Sequence, residues 1–308
     1  MLRALLLALA KSSRLRRWIT SHGATRRMAR RFVPGEELAP AIEAARASNK
    51  AGMTASLDHL GENVVTREDA ERARASYTEA LEQIAAARVE ANVSLKLTHL
   101  GLDLGGEYCA EQLRMVTRRA EELGNFVRVD MEGSAYTDRT LRIVKQARAE
   151  SAAVGTVIQA YLYRSEEDIR DLLGSGCRIR LVKGAYKEPA RIAFRRKKDV
   201  DANFIKLMKI LLPSGTYHAL ATHDPKMIEA AIRFAAEQNI TKDKFEFQML
   251  YGIRTDLQTR LVRQGYRVRV YIPFGKDWFP YFMRRLAERP ANLVFFAKNL
   301  FRGAAPSA

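Results

Sequence analysis

Cysteine is scarce: Cys109 and Cys177 are the only two in 308 residues. That excludes a disulfide framework and a thiolate metal cluster, and it fits free thiols in a reducing compartment. No apolar run approaches the ~18–20 residues that span a bilayer. The longest early run, Ala4 to Ala10, has seven. The G-x-G-x-x-G turn that an open dinucleotide-binding sheet wants after its first strand is absent. Short repeats, low-complexity tracts and long linkers are absent too.

Acid is missing from one stretch only. Residues 1–35 carry nine Lys/Arg and no Asp or Glu, and Glu36 is the first carboxylate. The chain as a whole is +17, of which the part after residue 35 contributes +8. The basic excess is therefore partly a property of an N-terminal arm. The arm admits four readings: a secretory signal with Ala8-Leu9-Ala10 as cleavage site, an Arg-rich transit peptide, a basic amphipathic helix on anionic lipid, or a helix packed on the domain with a solvated basic face. Beyond it the composition, 47% hydrophobic and 28% charged, is globular. We divide the chain into the arm (1–35), a single catalytic domain (36–302) and a tail (303–308).

Eight short β-rich runs stand out: Thr54–Leu57, Val93–Leu97, Phe126–Asp130, Thr156–Ala160, Ile179–Val182, Tyr217–Ala221, Lys244–Gln248 and Arg267–Tyr271. Segments of helical periodicity separate them, from Arg67–Val89 to Trp278–Glu288. Strands alternating with helices imply βα units and a parallel sheet. Several runs are apolar on both faces, as strands covered on both sides should be. Eight units in roughly 240 residues predict a closed, distorted (β/α)₈ barrel of the TIM type with extra N-terminal helices, rather than an open doubly wound sheet.

In such a barrel the active site lies at the C-terminal ends of the strands. The residues there are polar: Lys96, Asp130-Met131-Glu132, Gln159, Arg180 and Lys183, Thr222-His223-Asp224, Glu246, Gln248 and Tyr251, and Tyr271. Taken singly, each has a bland reading, such as Lys96 snorkelling to water or His223 capping the next helix. Arg180 is harder to explain that way, because a cation inside the apolar run RIRLV costs several kcal/mol unless it is paired or hydrogen-bonded. Further on, Tyr281, Arg284, Arg285 and Glu288 share one face of the last helix, where two guanidinium groups form a fork for a carboxylate or phosphate.

The stretches SLKLTHLG (94–101), VDME (129–132), VIQAYL (157–162), RLVKGAY (180–186), ATHD (221–224), FEFQMLYG (245–252), VYIPFG (270–275) and YFMRRLAERPANL (281–293), in this order, resemble the proline dehydrogenases. The resemblance is to the single-function bacterial form of that flavoenzyme family. FVPGEEL and SLDHLGENV upstream extend the resemblance to about Phe32, and it runs to about Leu300. It implies a barrel holding FAD non-covalently. It also implies oxidation of L-proline to 1-pyrroline-5-carboxylate, electrons passed to a membrane quinone, and a cytoplasmic enzyme with peripheral contact to the inner face of the membrane.

Carried over motif by motif, Arg180 resembles the arginine near flavin N5, where negative charge builds, and Lys183, Gly184 and Ala185 resemble the stretch that approaches the cofactor. Met131, Gln159, Thr222, His223, Gln248 and Glu288 look like further cofactor contacts. Asp130 and Lys96 look like polar residues beside the substrate, both candidates for managing its amine proton. Arg284 and Arg285 resemble the pair that holds the proline carboxylate, with Tyr271, Tyr281 and Leu250 around its ring. Glu62 resembles a gate residue that pairs with Arg285. The sequence departs from the pattern at MEGS, where Gly133 stands in a place the family often gives to a second acid.

Two other readings remain at this stage. One is a Schiff-base aldolase using Lys96 or Lys183. The other is a nucleic-acid-binding protein suggested by the total charge and by Arg195-Arg196-Lys197-Lys198, although no reading motif or aromatic interleaving accompanies those charges. No metal site and no nucleic-acid partner are expected.

Overall fold

The computed structural model describes residues 29–288, with side chains to Arg285. Eight parallel strands close into a barrel in strict sequence order. They are β1 (Thr54–His59), β2 (Ala91–Leu95), β3 (Val127–Val129), β4 (Val154–Gln159), β5 (Arg178–Val182), β6 (His218–Ala221), β7 (Phe245–Leu250) and β8 (Arg267–Phe274). Closure is made by β8 against β1, in a register running from Thr54 beside Arg269 to His59 beside Phe274. All eight β-rich runs of the sequence are strands, with ends moved by up to three residues. The second strand stops at Leu95, and a 3₁₀ turn, Leu97–Leu100, follows Lys96.

Helix α1 (Leu38–Lys50) precedes the barrel, and one helix follows each strand. These are α2 (Arg67–Ala87), α3 (Gly106–Glu122), α4 (Ser134–Glu150), α5 (Ser165–Gly174), α6 (Lys197–Leu211), α7 (Pro225–Glu237), α8 (Thr255–Arg263) and α9 (Trp278–Glu288). Local chemistry sets their ends. The Thr66 hydroxyl accepts from the Asp69 N–H to start α2, and Asp224 accepts from the Lys226 N–H with Pro225 at the first helical position of α7. The Arg-Arg-Lys-Lys run supplies the N-cap and first turn of α6, as a solvated helix start.

Most strand side chains are buried on both faces, β4 along its whole length, because helices cover the outside and neighbouring strands fill the inside. At Gly155 a Cβ would stand 2.3 Å from the Arg178 carbonyl oxygen, so only glycine lets β4 lie this close to β5. Cys109 and Cys177 are both free and buried.

A second apolar cluster joins residues 29–33 to α9. Ala29, Phe32 and Val33 pack with Leu60, Trp278 and Phe282, and the Trp278 indole donates to Glu36 at 2.9 Å. The chain at Arg31 passes so close to Gly252 that a Cβ there would lie 1.9 Å from the Arg31 carbonyl oxygen. The end of the basic arm is thus built into the barrel; residues 1–28 and the tail lie outside the described residues. Clamped between this segment and the strand ends, α9 leans over the C-terminal mouth.

Candidate active site

A cavity of about 420 Å³ opens at the C-terminal ends of the strands, within the range of small-molecule sites. Side chains from separate strands converge on it: Lys96 after β2, Asp130 after β3, Gln159 on β4, Arg180 on β5, Gln248 on β7 and Tyr271 on β8. Tyr281 and Arg285 reach it from α9.

Arg180 is its most distinctive member. The residue is 4% exposed, and its guanidinium lies 5.2 Å from the centre of the Tyr271 ring. Nη1 donates to Asp130 Oδ1 at 2.7 Å and to Ser94 Oγ at 3.3 Å. Nε and Nη2 are buried and meet no protein acceptor. Asp130 has the opposite condition. Its Oδ1 accepts from Arg180 and from Ser94 Oγ at 2.8 Å, and its Oδ2 accepts from the Tyr271 hydroxyl at 2.7 Å.

Lys96 lies 3.8 Å from Asp58 Oδ2, an ion pair in which both side chains are nearly buried. Burial pulls the ammonium pKa down, but the carboxylates of Asp58 and Asp130 outweigh it, so the pKa ends above the ordinary lysine value. Asp58 is pushed up, chiefly by burial, with Lys96 opposing. The Tyr271 hydroxyl is raised well above the ordinary tyrosine range by burial and by the Asp130 and Asp58 charges.

Lys183 Nζ donates to Asp201 Oδ1 at 2.5 Å and Asp224 Oδ2 at 2.7 Å, so its charge is spent on tying the loop after β5 to α6 and α7. Gly184, at φ +112°, brings the chain past the Tyr161 ring, where a Cβ would stand 2.3 Å from a ring carbon. Its bare backbone is therefore required by Tyr161. The His223 Nε2 accepts the Leu250 N–H at 2.9 Å, joining the ends of β6 and β7, while Asp224 rather than His223 caps α7. Gln159 Nε2 donates to the Glu132 carbonyl at 2.8 Å.

A family model described as proline dehydrogenase matches residues 41–298. The chain belongs to the proline dehydrogenase family. It is 43% identical to proline dehydrogenase 1 of Bacillus subtilis (strain 168), over 98% of this chain and all of that one. It is 41% identical to the proline dehydrogenase of Deinococcus radiodurans, over 90% of this chain and 91% of that one. Among solved structures, proline utilization A from Bdellovibrio bacteriovorus, inactivated by N-propargylglycine, superposes with a TM-score of 0.81 at 28% identity. That match covers 91% of this chain and 34% of the larger protein, so this chain spans about a third of its length.

Of the residues singled out in the sequence for a proline dehydrogenase site, the cavity gathers Lys96, Asp130, Met131, Gln159, Arg180 and the 183–185 stretch. It also gathers Thr222, His223, Gln248 and Leu250, besides Tyr271, Tyr281 and Arg285. Arg284 is half-buried and does not line it. Glu62 is exposed in the loop after β1. The Glu288 side chain lies outside the described residues.

Two of the polar strand residues sit elsewhere. Glu246, placed by the sequence on this rim, lies one inward layer lower, where Arg269 Nε donates to it at 2.8 Å and the Gln248 amide donates to it from above. Tyr251 packs against the core instead of the cavity.

Three further residues belong to the site: Asp58 pairs with Lys96, Ser94 bonds both Asp130 and Arg180, and Tyr186 lines the cavity. The structure extends β1 past Leu57, so Asp58, like Arg180, is a charge inside a buried strand. Beside Gly133, Glu188 from the loop after β5 supplies a carboxylate, its Oε1 3.6 Å from where a Cβ would stand. It accepts from the Ser134 N–H at 2.7 Å and hydroxyl at 2.6 Å.

Proposed function

We propose that this chain oxidises L-proline to 1-pyrroline-5-carboxylate, with FAD held non-covalently in the C-terminal cavity. The observation that carries this reading is Arg180: a buried guanidinium lining the cavity with two donor nitrogens, Nε and Nη2, that no protein atom uses. An unspent buried donor pair costs free energy unless a ligand accepts it, and an electron-rich ring system is such a ligand. Met131, Gln159, Thr222, His223, Gln248 and the 183–185 backbone would complete the binding surface, with Glu288 a further candidate. When bound, the flavin supplies the two-electron acceptor that no side chain can replace.

The protein's part is positioning and electrostatics. Asp130 and Tyr271 fix Arg180 in place, so its cation stands ready where negative charge develops. Arg285, and Arg284 beside it, would anchor the substrate carboxylate by directional charge-assisted hydrogen bonds. Tyr271, Tyr281 and Leu250 would wall the apolar ring and orient the reacting carbon. Glu62 would pair with Arg285 when the site is empty.

The amine proton finds no good acceptor here. Both Asp130 oxygens are engaged by three donors, and Lys96 is held protonated. We infer that proline reacts as its neutral amine, with the proton released to water. The raised pKa of Lys96 and the double ion pair of Lys183 also remove the support for a Schiff-base lyase, which needs a neutral lysine.

Electrons would pass on to a membrane quinone. Among the described residues no helix is long and apolar enough to cross a membrane, so this step would use surface contact. Val65, Tyr163 and Tyr186, exposed on βα loops at the same mouth, and the basic N-terminal arm support such contact. The test is turnover: FAD-loaded protein given L-proline and a soluble quinone should form 1-pyrroline-5-carboxylate, trapped as its o-aminobenzaldehyde adduct. Absence of product with fully loaded protein would refute the assignment.

A further inference from the structure

The opposite, N-terminal mouth of the barrel holds a second cavity, of about 730 Å³, lined by five arginines and three glutamates. The balance of paired and unpaired charge there is unusual. Among the described residues, only Arg269 of the five meets a carboxylate, donating to Glu246 at 2.8 Å. Glu246 is also taken by the Tyr217 hydroxyl, which donates to it at 3.0 Å, and by Gln248.

Arg128 is 3% exposed. Its Nη1 donates to the carbonyls of Thr156 at 2.9 Å and Arg178 at 2.5 Å, yet its Nε is buried without an acceptor. Among the described residues, no carboxylate lies within ion-pair distance of Arg88, Arg128, Arg178 or Arg267. Glu90 and Glu121 share the lining without pairing to any of them.

Two aromatic rings hold three of these cations together. Arg128 and Arg178 lie over Phe126, at 4.8 and 5.1 Å. Arg178 and Arg267 both lie 5.7 Å from the centre of the Tyr217 ring. Stacking offsets part of the cost of gathering like charges but leaves their in-plane N–H groups free to donate. Arg128 is the buried one of the three, and a mouth closed for stability alone would pair it with an acid, since a buried unpaired charge is expensive; Arg178 and Arg267 are exposed and frame the opening beside it. Burial, and then the Arg180 charge, hold the Arg128 pKa down to about 9; an opposing anion would reverse that.

We propose that this mouth binds a small multivalent oxyanion, a metabolite bearing phosphate or several carboxylates, through Arg128, Arg178 and Arg267. The site rests on its own side chains and is independent of the reading of the upper cavity. It is connected to that cavity by the column Arg269–Glu246–Gln248, whose last member lines the upper site.

The test uses the full chain, with pyrophosphate and citrate as probes. Calorimetric titrations run at fixed ionic strength, with chloride as the balancing salt. Saturable one-site binding is expected, together with a rise in melting temperature of roughly 2–4 °C at ten times the dissociation constant. Arg178→Gln/Arg267→Gln, both exposed positions, should weaken binding about tenfold or more. Arg267→Gln alone, checked by circular dichroism, serves if the double variant folds poorly. Tighter binding of pyrophosphate assigns a phosphate ligand, and tighter binding of citrate a polycarboxylate. Failure of both probes to saturate wild type, or unchanged affinity in the folded variant, overturns the proposal.

Discussion

Arg180 on β5 places its Nη1 2.7 Å from Oδ1 of Asp130, which follows β3, fifty residues earlier in the chain. The two side chains are 5% and 14% exposed, so the pair is a desolvated one. Removing one partner of such a pair leaves a buried charge uncompensated, at ~3–5 kcal/mol. Asp130→Ala should show that loss in urea denaturation, and Asp130→Asn, which keeps an acceptor oxygen, should lose less. The pH profile of kcat/KM should keep its shape in Asp130→Asn even as its height falls. Disappearance of a titrating limb would instead make Asp130 a proton acceptor.

Lys96 and Asp58 should behave as a unit. Lys96→Met strands the Asp58 carboxylate, and Asp58→Asn added to it removes the stranded charge. The double variant is therefore expected to be more stable than Lys96→Met alone, with a coupling of ~1–3 kcal/mol in a double-mutant cycle. Additive losses would mean that the 3.8 Å pair contributes nothing.

The two arginines of α9 should separate. Arg285 lines the cavity and Arg284 does not. Arg285→Gln should raise the KM for proline about 10- to 100-fold, the worth of one hydrogen bond between charged groups, with flavin content retained. Arg284→Gln should have a smaller effect. Equal, normal KM values in both would remove the carboxylate assignment.

Stability should fall in mild acid for a reason outside the active site. His99 and His218 are each held down to about 3, first by burial and then by neighbouring charge. His218 Nδ1 accepts the Ile179 N–H at 3.0 Å, so its ring is neutral. The unfolded chain takes up protons near the ordinary value of 6.5, whereas the folded rings do not. Their contribution is whole above that value and is lost as pH falls from it toward about 3, at up to ~1.4 kcal/mol per pH unit for each ring. His218→Asn should reduce the slope of stability against pH between ~4.5 and ~6 by one such increment. An unaltered slope would mean that His218 protonates in the folded state.

The barrel was legible because its strands are apolar on both faces and regularly spaced, a pattern that few other folds produce. Arg180 was legible because a cation inside RIRLV needs a partner. Depth along a strand was not legible. Glu246 and Gln248 point inward two residues apart, and only the closed register puts one at the lower mouth and the other at the upper. Nor could spacing reveal that Lys183 spends its charge on Asp201 and Asp224, or that Gly184 is glycine because of Tyr161. Those facts depend on contacts across 18, 41 and 23 residues of chain. Asp58 lies one residue past Leu57, where the first β-rich run ends, so the logic applied to Arg180 did not reach it although the strand continues to His59.

The most direct test of the account is the anaerobic absorption spectrum of the purified protein, titrated with L-proline. A yellow protein is expected, its flavin bands bleached by proline, with bleaching slowed at least tenfold in Arg180→Gln. A colourless chain that takes up no FAD, or a bound flavin that proline leaves oxidised, would contradict the central claim.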